Sequence, residues 1–159
     1  MPDTYRSCRT CHTATTLRRL DPATGDEKAL SVTVQGLNVL VCSNGHKQFL
    51  DAEFPLRLLN QLEEDEAKLP AGEEKGVLVF KHFFCRDCGR ELEPKPDHRH
   101  SFDIKPALPD QPDLRIDLTA AVYHCTGCGK EQLHSLAELR KLTPTALVRA
   151  FQAAGVQSG

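Results

Sequence analysis

Apolar and polar positions alternate through residues 29–34 (ALSVTV), a stretch rich in β-branched side chains, and this predicts a strand. Gly36 breaks it, and 37–42 (LNVLVC) predicts a second strand that ends on Cys42. The period then changes. Phe54, Leu58 and Leu62 recur four residues apart behind Asp51, a good helix N-cap, with Pro55 in the first turn. This helix is expected to stop before Pro70. Further strands are predicted over 77–84 (VLVFKHFF), 101–104, 114–118 (LRIDL) and 120–124. Ser135 is placed to cap a short helix carrying Leu136, Leu139 and Leu142. Thr143-Pro144 is placed to begin another, with Leu147, Val148 and Phe151 on one face.

Charge suggests where the chain divides. Residues 63–75 (EEDEAKLPAGEEK) carry six acidic and two basic side chains, which reads as a solvated helix end followed by a Pro/Gly-containing linker at 71–76. The expected organisation is therefore two modules, 1–70 and 77–159. With 159 residues, no Trp and only 6% aromatics, a large aromatic core is excluded. The net charge of −2, from 20 basic and 22 acidic residues, excludes a generic polyanion binder. No apolar run is long enough to cross a membrane, and MPDTYRSC has no apolar leader segment, so a cytoplasmic protein with reduced thiols is expected.

The seven cysteines decide the chemistry. Six form CxxC pairs: Cys8/Cys11, Cys85/Cys88 and Cys125/Cys128. The seventh, Cys42, has His46 four residues on, in CSNGH. The candidate ligands thus number eight and fall into two non-interleaved sets, Cys8, Cys11, Cys42, His46 and Cys85, Cys88, Cys125, Cys128. Thiolate and imidazole ligands in fours suit tetrahedral Zn²⁺, so two structural zinc ions per chain are expected. Four facing thiolates can also hold iron. His12, next to Cys11, is the competing fourth ligand of the first set, but an adjacent position needs a strained turn. Gly89, Gly129 and Asn44-Gly45 supply tight turns beside the ligands. Zinc would add one negative charge at the first set and two at the second, taking the chain from −2 to about −5.

With the ligands placed, CRDCGREL and CTGCGKEQ resemble the two knuckles of the zinc-ribbon (rubredoxin-like) superfamily. The resemblance implies a small metal-stabilised α+β fold, here two ribbon-like modules in tandem. Each would be a short antiparallel sheet with a C-terminal helix. The first module also resembles the zinc fingers of bacterial antitoxin-type proteins, through Cys8/Cys11, LNVLVC and DAEFPLRLLNQL, with His46 where that pattern has a cysteine. Internally, Cys42-x4-Lys47-x2-Leu50 matches Cys125-x4-Lys130-x2-Leu133, which suggests a duplicated plan.

Three functions follow as expectations. The first is a non-enzymatic interaction or adaptor module for another protein, using apolar faces between Ser135 and Val156. The second is nucleic-acid binding through Arg6, Arg9, Arg18, Arg19, Lys28 and Lys47, or through Lys81, Arg86, Arg90, His98, Arg99 and His100 with Phe83, Phe84 or Phe102 as stacking platforms. The third, a CxxC redox enzyme, is disfavoured because every pair finds metal partners and no catalytic constellation is seen. His98 and His100 (HRH), in a proline-rich stretch, could hold a further metal or act as acid/base groups.

Overall fold

The computed structural model describes residues 5–77 and 80–157. Chain order is β1 (Thr15–Arg19), β2 (Ala23–Glu27), β3 (Leu30–Gln35), β4 (Asn38–Cys42), β5 (Lys47–Gln48), α1 (Phe54–Glu66), β6 (Glu73–Val77) and β7 (Phe80–Phe84). It continues with β8 (His98–Ile104), β9 (Arg115–His124), β10 (Glu131–Gln132), α2 (Leu136–Ala154) and β11 (Val156–Gln157).

The pairing of β3 with β9 organises the molecule. Val32 faces Leu118 and Val34 faces Ile116 across an antiparallel ladder, and all four side chains are buried. On a strand, alternate residues share a face, so each strand presents one continuous apolar row. The sheet has the order β10-β9-β3-β2, with β8 on β9 as well. The two strands expected over 114–118 and 120–124 are one ten-residue strand, because their alternation runs unbroken from Ile116 to Val122.

The core corrects the expectation of two modules with separate sheets. Leu30, Val32, Val34, Phe54, Leu58 and Leu62 share one apolar cluster with Leu114, Ile116, Leu118, Leu147 and Phe151. The boundary stretch is part of the structure too. Ala71 bridges Leu133, Gly72 N–H bonds to Leu133 O at 2.8 Å, and 73–77 form β6 of a hairpin with β7. The strand expected at 77–84 is the far half of that hairpin, with Leu78 and Val79 outside the described residues. Burying apolar surface outweighs the local Pro/Gly and charge signals that suggested a linker.

Helix α2 packs against β2 and β3. It can do so because residue 25 is glycine: a Cβ there would lie 2.1 Å from Ala146 O and 2.3 Å from Ala150 N. The helix is continuous through Pro144, where two helices were expected. Pro144 removes one backbone bond, but Leu139, Thr143, Ala146 and Leu147 are buried on both sides of it. Burial on the sheet holds the helix together. Ser135 caps it, accepting a bond from Glu138 N at 3.1 Å. Asp51 does not cap α1 directly: its carboxylate accepts from Glu53 N in the preceding turn.

A second sheet, ordered β1-β4-β5-β11, carries the other end of the molecule. Its last strand, β11, pairs in parallel with β5, so the end of the described chain lies beside Lys47 and Gln48.

Candidate metal centres

Four knuckles carry the eight candidate ligands, and three of them share one backbone scheme. In 8–13, 85–90 and 125–130 the first cysteine's carbonyl accepts the N–H four residues on, and its N–H bonds to the carbonyl five residues on. The residue that makes the return has φ of 76° in Gly89 and Gly129. In the first knuckle this left-handed position is held by His12, with φ of 61°. His12 is thus the turn residue of its knuckle and not a member of the cluster. The fourth knuckle, 42–46, is one residue tighter, with Cys42 N–H bonded to His46 O and Gly45 at φ of 83°.

These turns bring Cys8, Cys11, Cys42 and His46 together, and likewise Cys85, Cys88, Cys125 and Cys128, with all donor atoms of each set within 4.8 Å of one another. In the first set His46 presents Nδ1, 3.6 Å from Cys8 Sγ and 3.4 Å from Cys42 Sγ, while Cys11 and Cys42 sulfurs are 3.7 Å apart. In the second, the Cys85–Cys128 and Cys88–Cys125 sulfurs lie 3.6 and 3.3 Å apart. A tetrahedron with Zn–S near 2.3 Å and Zn–N near 2.0 Å has edges of about 3.8 Å between sulfurs and about 3.5 Å from sulfur to nitrogen. The donor sets fit a four-coordinate metal ion.

The electrostatics fit as well. Thr13, through its hydroxyl and its backbone N–H, and then Asn44, bring the Cys11 thiol down to about 5. Burial pushes Cys85 up, but the backbone N–H of Cys88, the Gln132 amide and the Asp87 N–H bring it down to about 6. Cys88 moves the other way: the Arg90 N–H favours its thiolate, yet the facing Cys125 sulfur and burial hold it near 11. Without a cation, four thiols at one point cannot all ionise; a dication removes that penalty.

Two residues that the sequence reading did not single out support these clusters. Gln48 is buried, accepts Arg9 N–H on Oε1 at 3.0 Å and donates to Ser7 O at 3.3 Å. Gln132 is buried, accepts Arg86 N–H on Oε1 at 3.3 Å and donates to Cys85 Sγ at 3.2 Å. Both follow the second knuckle of their set. The repeat in sequence, which aligns Lys47 with Lys130, is therefore one residue out of step with the arrangement in space. The four-cysteine hairpin is also tied to the body by His134, stacked between Phe83 at 4.1 Å and Tyr123 at 3.2 Å. Burial lowers the His134 pKa, which favours the neutral imidazole.

Other candidate residues have structural occupations. Arg6 donates to Phe49 O, Arg19 pairs with Asp113, Lys47 donates to Ala154 O, and Arg99 donates to Ala29 O, Ser31 and Thr119 O. Phe83 is taken up by His134. Leu139, Leu147 and Phe151 of α2, expected as an interaction face, are buried in the core. No helix among the described residues is long and apolar enough to cross a membrane. Comparison of the chain with protein-family models, curated proteins and solved structures returned no match.

Proposed function

We propose that this is a non-enzymatic, cytoplasmic scaffold protein whose two clusters are structural zinc sites of ribbon type, and that it acts by docking another protein between α1 and α2. Zinc is the metal favoured by a three-thiolate, one-imidazole set and a four-thiolate set with tetrahedral spacing. Each set supplies four protein donors, which fills a tetrahedral ion and leaves it no open position for substrate.

The observation that carries the docking reading is the cleft between the helices. It measures about 220 Å³ and combines an apolar end at Leu56, Leu59 and Pro144 with a polar end at Glu63, Glu66 and Arg140. Leu56 is 62% exposed. Glu66 is buried, yet its Oε2 has no hydrogen-bond partner among the described residues, and neither has Arg140 Nε. With Glu64 and Asp65 alongside, the cleft suits a basic amphipathic segment of a protein partner. The test is fluorescence anisotropy with a labelled lysine/leucine peptide and, separately, a single-stranded oligonucleotide. The peptide is expected to bind, and Leu56→Glu to weaken it about tenfold. Micromolar oligonucleotide binding that falls steeply with salt, with no peptide binding, would replace this reading with nucleic-acid recognition.

A further inference from the structure

The HRH motif stands apart from both cysteine clusters and forms a cluster of its own. His98 begins β8, with Asp97 immediately before it, and Glu131 lies on β10. His98 Nε2 is 3.0 Å from Glu131 Oε2, and its Nδ1 is 3.1 Å from Asp97 Oδ2. Donor atoms of the three residues lie within 4.8 Å of one another. His100, two residues along the same strand and so on the same face, has its ring 6.3 Å from that of His98. His98, His100 and Glu131 line an open cleft of about 460 Å³ with Pro70, Phe102 and Val122.

We propose that His98 and Glu131, completed by His100, hold a third divalent transition-metal ion at the mouth of this cleft, with Asp97 as a positioning residue. A nitrogen and an oxygen 3.0 Å apart match two neighbouring ligands each about 2.1 Å from one ion at close to a right angle. With Nε2 turned to the ion, Nδ1–H donates to the Asp97 carboxylate at 3.1 Å, the arrangement that aims a metal-bound imidazole and raises its basicity. The donors are nitrogen and oxygen without sulfur, which suits Co²⁺, Ni²⁺ or Zn²⁺ over the soft ions that thiolates select. Three protein ligands facing a cleft leave coordination positions for water or a small anionic ligand, unlike the closed cysteine sets. Asp97, His98 and Glu131 are each about half exposed, so the ion exchanges readily where the structural ions do not.

The experiment is a Co²⁺ titration, by calorimetry and absorption, of protein already loaded with two Zn²⁺ per chain. One Co²⁺ per chain is expected to bind with micromolar affinity and without the thiolate charge-transfer band that marks displacement at the cysteines. His98→Ala and Glu131→Gln are each expected to weaken uptake by tenfold or more, and Asp97→Asn by about tenfold. His82→Ala, at the isolated His82–Glu91 pair, is expected to leave it unchanged. The inference is overturned if no Co²⁺ binds beyond the two Zn²⁺, if uptake carries the thiolate band, or if both variants bind as the wild type does. Should His98→Ala lose zinc and unfold, the titration of Glu131→Gln decides the matter alone.

Discussion

Gln48 and Gln132 do the same work at opposite ends of the molecule: each buried amide closes on the N–H of the residue that follows the first cysteine of its cluster. Gln132 also donates to Cys85 Sγ. Replacing Gln132 by Ala leaves a backbone donor and a sulfur without that partner in a buried place. The expected cost is about 1–3 kcal/mol in stability, with metal released to a chelator about tenfold faster from the four-cysteine set. Gln132→Glu, which keeps the acceptor but loses the donor, should fall between the two. Release kinetics followed with a chromogenic chelator distinguish these outcomes.

His46 is the single nitrogen donor among eight candidate ligands. His46→Ala is expected to lower the metal count from two per chain to one, or to leave a second ion that is lost on dialysis. His46→Cys restores a four-thiolate set and should hold two. Native mass spectrometry of protein purified reduced, without added metal, reads the count directly. A count of two that survives dialysis in His46→Ala would remove His46 from the site.

His12 should behave differently although it adjoins Cys11. Its φ of 61° is the conformation glycine adopts at the matching position of two other knuckles. His12→Gly is therefore expected to keep both metals and to raise stability by up to about 1 kcal/mol, visible as a higher denaturation midpoint. Loss of a metal in this variant would make His12 a ligand after all.

Gly25→Ala tests the shared core. The added methyl meets backbone atoms of α2, which cannot move aside as a side chain would. A loss of about 3 kcal/mol is expected, because helix and sheet must separate. Unfolding should remain one cooperative transition whether followed at the sheet or at the helix, since the two share a single cluster.

Burial raises the Glu66 carboxyl to about 7, well above the usual carboxylate range. The folded state then holds a proton that the unfolded chain gives up near pH 4. The associated stability is complete below about pH 4 and is lost as pH rises through 7. Glu66→Gln keeps a neutral, hydrogen-bonding side chain, so it should match the wild type in acid and exceed it by about 2 kcal/mol at pH 8. Parallel slopes of stability against pH for the two proteins would show that Glu66 ionises without cost.

The sequence made the two candidate donor clusters legible because ligand spacing is a local signal: CxxC places two sulfurs on one side of a turn wherever it occurs. The strands at 29–42 and helix α1 were legible from their apolar periods. β1 and β2 were not. Four of the five side chains in TTLRR are exposed, and ATGDE has no apolar row. Both are strands because β4 and β3 offer them partners. The joining of β3 to β9 escaped for another reason: nothing local in SVTVQ specifies a partner some 80 residues away. Gln48 and Gln132 read as ordinary polar residues until burial distinguishes them. A usable signal was their shared place, just after each set's second knuckle and before an apolar Phe49 or Leu133.

The pairing of β11 with β5 has a consequence for biosynthesis. All four donors of the first cluster have been made once residue 46 leaves the ribosome, yet the strand beside that cluster is completed only at Gln157. At ordinary elongation rates the nascent chain waits roughly 5–20 s between the two events. Over most of that interval β3 has no β9 to cover its open edge. Early metal capture by Cys8, Cys11, Cys42 and His46 would protect the thiols from oxidation and hold the N-terminal hairpins in register until the rest of the sheet arrives.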